Sequence, residues 1–156
     1  MTNQNISDTD GPITIKCNGN ERITLFECPL ELSQMNDLSK VVDAVILVID
    51  ASYGFEMETF EHLNQLQSHG FPKVIGVLTH LDTFKSMKLL QNTKKSLKQR
   101  FWTEIYKGAK LFELSGIVNG KYLKHEIRRI SVHISRLKYR PLVWRIARPY
   151  MVVDRI

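Results

Sequence analysis

Apolar residues between Ile13 and Leu137 fall into two kinds of pattern, short β-type runs and stripes spaced three or four apart. Val45–Ile49 is an unbroken apolar run, β-branched except at Leu47, ending at Asp50, and Val74–Leu78 is a second run leading into Thr79-His80-Leu81-Asp82. Ala109–Leu114 makes a third. Such runs predict parallel strands buried on both faces. Around them, Leu32, Met35, Leu38, Val41 and Val42 recur at helical spacing ahead of the first run, as do Phe60, Leu63 and Leu66 after it, before the stop at Gly70 and Pro72. Phe84, Met87, Leu90, Leu97 and Phe101 predict a long helix over Thr83–Trp102, and Ile127, Ile130, Ile134 and Leu137 a last one.

Ahead of these elements, Ile13–Cys17 and Arg22–Phe26 flank Asn18-Gly19-Asn20, a hairpin signal, and Pro29 ends the second strand. Strands alternating with helices predict an α/β fold, a mostly parallel sheet with helices on both faces. Residues 1–11 are polar and are expected to be a flexible lead to a domain over 12–139. From Arg140 onward Pro141, Trp144, Pro149, Tyr150 and Val153 show no helical stripe, which predicts an extended tail leading towards a following domain.

Composition narrows the class. The chain has 156 residues, 43% hydrophobic and 24% charged, right for one globular domain. Cys17 and Cys28 follow no metal-ligand spacing and are expected to be free thiols of a reducing compartment. The start is polar and acidic, unlike a signal peptide, and Ala44–Ile49 is too short to span a bilayer, so a soluble intracellular protein is expected. Charge is the uneven feature. Residues 1–82 carry four Lys/Arg against twelve Asp/Glu, and residues 83–156 carry eighteen against four. The net +6 is therefore −8 in the first part and +14 in the second. A basic half of that strength suits a polyanion such as RNA, or a solvated surface with a partner-binding tail.

In an open parallel sheet, ligands bind outside the carboxyl ends of the strands. Glu27-Cys28-Pro29, Thr79–Asp82 and Ser115-Gly116 fall there. Longer stretches carry a resemblance: Arg22–Pro29, Asp50–Phe60, His69–Lys73, Val77–Asp82, Arg100–Glu104 and Gly108–Phe112, with Arg140–Leu142 and Arg148–Tyr150 in the tail. In these the chain resembles, from about Gly11 to its end, the GTPase domain of the Bms/Tsr family of ribosome-biogenesis factors, which act in small-subunit assembly.

That resemblance implies a P-loop-GTPase-like sheet and a role for each strand end. Thr79, His80 and Asp82 would occupy the guanine-reading position, where most GTPases have Asn-Lys-x-Asp. Asp82 would accept two hydrogen bonds from guanine, or else cap the helix that follows. Ser115-Gly116 would bring a backbone N–H to the guanine carbonyl, or be an ordinary strand-to-helix turn. Glu27 and Thr14 stand where the family's magnesium contacts lie, although Glu27 replaces the usual Asp, Leu30 the usual Gly, and Thr14 also suits a hairpin strand. GTP and Mg2+ are the implied cofactors. The implied partners are pre-rRNA or the small-subunit pre-ribosome and assembly factors that include an RNA cyclase-like protein, in the nucleus and nucleolus, with no membrane.

One element is missing from the pattern. A phosphate-cradling run, G-x-x-x-x-G-K-[ST], occurs nowhere in the 156 residues. In the family it lies upstream with the first strand and helix, so the chain is expected to be a truncated domain with no catalytic residue, unable to hydrolyse GTP alone. Without that central strand the hairpin is expected to be loosely attached or detached, and the chain marginally stable. Lys85, Lys88, Lys94, Lys95, Lys98 and Arg100 form one basic cluster. Lys124, Arg128 and Arg129 belong to a second, Lys121–Arg148, whose single acid is Glu126. Both are candidates for RNA contact. Phe101, Trp102, Tyr139 and Trp144 could stack on bases or anchor the core and tail.

Overall fold

In the computed structural model, which describes residues 11–17, 21–138 and 142–151, two short strands precede the main body. β1 (Ile13–Lys16) and β2 (Arg22–Leu25) pair antiparallel as a separate two-stranded sheet, with Thr14 opposite Thr24. Then follow α1 (Leu32–Val41), β3 (Ala44–Asp50), α2 (Met57–Ser68) and β4 (Lys73–Thr79). A 3-10 turn at Leu81–Thr83 leads to α3 (Met87–Glu104) and β5 (Leu111–Glu113). The chain ends in a small hairpin, β6 (Ile117–Val118) and β7 (Lys121–Tyr122), then α4 (Lys124–Ile134) and α5 (Val143–Ala147).

β3, β4 and β5 form one parallel sheet in that order. Its register, Leu47 beside Gly76 and Gly76 beside Leu111, sorts the side chains by face. On one face Leu47, Ile49, Val74 and Leu78 meet Leu63 and Leu66 of α2 and Leu97 and Phe101 of α3 in the main core. Phe101 is wholly buried over Gly76, where a Cβ would come within 2.4 Å of the Leu111 side chain and 2.6 Å of the Phe101 ring. Only glycine allows that approach.

The opposite face carries Ile46, Val48, Ile75, Val77 and Phe112. There α4 lies against β5, with the His133 ring 5.3 Å from that of Phe112. Ile75 and Val77 are buried, but on β3 Ile46 is 38% and Val48 61% exposed. Among the described residues β3 pairs only with β4, so its other edge is open and the hairpin β1–β2 stands apart from it.

Four expectations change. The long helix starts at Met87, because the 3-10 turn intervenes, and its N-cap residue is Ser86 rather than Asp82. The third strand is shorter than Ala109–Leu114. The hairpin β6–β7, turning at Asn119-Gly120, goes unpredicted although its Asn-Gly is the signal used at residues 18–19. The tail is not extended throughout, because Val143–Ala147 is helical and tied back. Arg145 donates to the Asp43 carboxylate at 2.6 Å and to the Val42 carbonyl, and the Lys40 ammonium lies over the Tyr150 ring. The lead over residues 1–10, the Asn18-Gly19-Asn20 turn, Tyr139 to Pro141, Val153 and the Trp144 side chain lie outside the described residues. No helix among the described residues is long and apolar enough to cross a membrane.

Candidate functional site

The carboxyl ends of β3, β4 and β5 gather the loops singled out by the parallel-sheet argument. Backbone bonds hold them together: Ala51 N–H donates to Thr79 and Leu114 N–H to Leu78, at 3.1 and 2.8 Å. Thr79, 6% exposed, turns its hydroxyl inward to the Ile49 carbonyl and His80 Nδ1, so it braces the loop from within. His80 adopts a left-handed backbone, φ 54°, unusual for a residue with a Cβ. This bend permits the tight 3-10 turn, in which the Thr83 hydroxyl donates to the His80 carbonyl at 2.7 Å. Leu81 points into the core and Asp82 is exposed.

Asp50, at the end of β3, anchors His80. Its Oδ2 lies 3.0 Å from His80 Nδ1, and its Oδ1 accepts the Ser52 amide at 2.8 Å and the Ser52 hydroxyl. Partial burial pushes the Asp50 carboxyl up. The Ser52 hydroxyl and amide, the neighbouring His80 and the Tyr53 N–H outweigh that and hold it below the ordinary carboxylate value.

Asp82 meets the third loop at Gly116. A Cβ built on Gly116 would lie 2.4 Å from the Asp82 Cγ and Oδ2, so the carboxylate sits directly against a buried glycine backbone. Next to it, Ser115 is held from α4: Glu126 accepts its amide at 3.2 and 3.3 Å and its hydroxyl at 2.7 Å. Thr79, His80, Asp82, Ser115 and Gly116 therefore belong to two adjoining loops. Asp50 and Glu126 are the contacting neighbours of these loops that sequence reasoning passed over. Asp50 ended a buried run as the other candidate loops did, and Glu126 was the single acid of a basic stretch. Those were the available signals.

Thr14 and Glu27 are not brought to a shared site. Thr14 pairs its hydroxyl with that of Thr24 at 3.0 Å inside the separate hairpin, and Glu27 is exposed after β2. No group of three His, Cys, Asp or Glu that could hold a metal ion occurs among the described residues. Thr14, paired with Thr24, and the exposed Glu27 do not by themselves make a magnesium site. Both cysteines are free thiols.

The basic clusters divide between the two faces of the sheet, α3 on the core face and α4 opposite. Three of the α3 cations are engaged: Lys94 pairs with Glu113 at 2.8 Å, Lys98 lies over Trp102, and Arg100 lies over Phe55 and Phe60. Lys85, Lys88 and Lys95, and Lys124, Arg128 and Arg129 on α4, are exposed and take part in no ion pair among the described residues. Phe101 is core, and Trp102 donates its indole N–H to the Ala109 carbonyl at 3.0 Å, an anchoring role.

Known proteins carry the same pattern. Residues 32–143 match the elongation factor Tu GTP binding domain family. The human protein named ribosome biogenesis protein BMS1 homolog is 53% identical over 156 residues, all of this chain and 12% of its own length. Ribosome biogenesis protein bms1 of Schizosaccharomyces pombe is 54% identical over 151 residues, 97% of this chain and 14% of its own. The chain thus spans a small part of these relatives. The crystal structure of translation elongation factor SelB from Methanococcus maripaludis, apo form, superposes with a TM-score of 0.63 at 19% identity, covering 87% of this chain and 30% of that one. That likeness concerns the fold, which is P-loop-GTPase-like. The chain belongs to the elongation factor Tu-type GTP-binding domain family, within its BMS1 ribosome-biogenesis branch.

Proposed function

We propose that this chain serves small-subunit ribosome assembly as a guanine-reading domain. The observation that carries the reading is the meeting of Asp82 with Gly116 at the strand ends, where a Cβ on Gly116 would overlap the carboxylate. Guanine offers a ring N–H and an amino group side by side, and the Asp82 carboxylate is the acceptor for both. Each such charge-assisted bond contributes roughly 1.5–3 kcal/mol. Adenine lacks that donor pair. The Gly116 N–H is the donor for the guanine carbonyl oxygen. His80, anchored on Asp50, replaces the usual Lys and stays on the β3 side of the loop. The phosphate-cradling run does not occur within these 156 residues, so the base contacts are what this segment contributes to nucleotide selectivity. Titration with GDP and ADP tests this: wild type is expected to prefer GDP, and Asp82→Ala to abolish the preference. Equal binding of both nucleotides by the wild-type chain would refute base reading.

A second reading is a non-catalytic assembly module that contacts pre-rRNA or an assembly factor, an RNA cyclase-like protein among them, in the nucleolus. It is favoured by Lys85, Lys88, Lys95, Lys124, Arg128 and Arg129, which are exposed and form no ion pair among the described residues. Because these cations occupy two faces of the sheet, a single flat contact would use α3 or α4, not both. Binding to structured RNA that fails to weaken between low and moderate salt would exclude phosphate contacts of this kind.

A further inference from the structure

We propose that Glu126 is a positioning residue for the base-reading turn, an inference that rests on the guanine-reading function above. Glu126 lies among Lys121, Lys124, Arg128 and Arg129, yet it takes part in no ion pair among the described residues. Both of its oxygens are turned to Ser115 instead, accepting the amide at 3.2 and 3.3 Å and the hydroxyl at 2.7 Å. That arrangement has two chemical consequences. It commits the donors of Ser115, leaving the Gly116 N–H, which takes part in no hydrogen bond among the described residues, as the backbone donor of the turn. It also sets how closely Gly116 approaches Asp82, where no room for a Cβ remains. A carbonyl oxygen accepts a bond from the lone N–H, whereas the amino group of adenine, itself a donor, does not. A released Ser115 hydroxyl, able to accept as well as donate, would blunt that difference. Glu126 thereby enforces selectivity at the base position opposite to the one read by Asp82.

Glu126 also stands in the first turn of α4, where any negative charge favours the helix dipole. Three variants separate the roles. Glu126→Gln keeps an acceptor and loses the charge, Glu126→Asp keeps the charge and loses reach, and Glu126→Ala loses both. Each is followed in the 15N-labelled chain by the Ser115 and Gly116 amide resonances and by titration with GDP and ADP. Positioning predicts that Asp and Ala shift both resonances and lower the GDP-over-ADP preference about tenfold, the weight of one hydrogen bond. Gln should stay near wild type in both readouts. Aspartate behaving as wild type while glutamine behaves as alanine would assign Glu126 to the helix dipole and overturn the proposal. If wild type shows no GDP preference, base reading fails on its own. The hold on the turn is then decided by the resonances: unmoved in Glu126→Ala, they refute it; moved in Ala and Asp but not in Gln, they uphold it.

Discussion

Gly116 shows how one atom governs the site. Its backbone needs no left-handed conformation, so Gly116→Ala adds no backbone strain; the cost is steric and falls on the Asp82 carboxylate, 2.4 Å from the new methyl. Asp82 is exposed and can swing away, so the thermal midpoint should change little while the GDP preference drops about tenfold or more. A calorimetric scan beside a nucleotide titration would show the two effects apart. The histidines give a pH dependence of known sign. Burial lowers His62; burial and then Lys40 lower His69; burial and then Lys110 and Lys73 lower His133. A folded pKa below the ordinary 6.5 means that the unfolded chain takes up protons first as pH falls. Stability is therefore fully present above that value and declines as pH drops below it. Asp50 acts with the same sign lower down, its contribution present above the ordinary 3.8 and lost as pH falls through the depressed folded value. Midpoints at pH 7.5 and 5.5 should show the histidine loss, and an unchanged or higher midpoint at pH 5.5 would contradict it.

The elements illustrate how local pattern and tertiary ties divide the work. Apolar runs identified β3 and β4, but only β4, buried from Val74 to Thr79, is covered on both sides as expected; β3 leaves Ile46 and Val48 exposed on one face. Helical stripes identified α1, α2, α3 and α4 through their period. α5 has only five residues, too few to display a period, and its placement comes from Arg145 reaching Asp43 and Val42 about a hundred positions earlier. Arg145→Ala should release it. The Asp43 partner is exposed, so the loss is about 1 kcal/mol, or a midpoint lowered by about 2–4 °C in a chain of this size. Faster amide exchange over 142–151 with unchanged exchange in β4 would confirm that the tie is local; no change in either would refute it.

For the whole molecule, the open side of β3 is the weak place. Among the described residues the β3 edge away from β4 is unpaired, with Val48 61% exposed, and it invites pairing with another chain. Wild type is expected to scatter light increasingly with concentration, and Val48→Lys to reduce the scattering without lowering the midpoint. A midpoint well above ~65 °C, the upper range for ordinary domains, would show that the open edge costs little.

Sequence alone determined the order and type of the main elements, the α/β class, the family resemblance and the strand-end loops of the candidate site. Those follow from periodicity and from short-range chemistry, which act between neighbours along the chain. It did not determine which charges remain free, because pairing is set by distance in space: Lys94 meets Glu113 and Arg100 meets Phe55 only once α3 packs on the sheet. Nor did it show that the basic half divides between two faces, which depends on the register that sets Phe112 beside Val77 and Leu111 beside Gly76. The tertiary structure alone brought Asp50 to His80, and Glu126 to the turn beside Asp82. Each of those contacts joins residues from different strands or helices, and their meeting is decided by packing rather than by spacing.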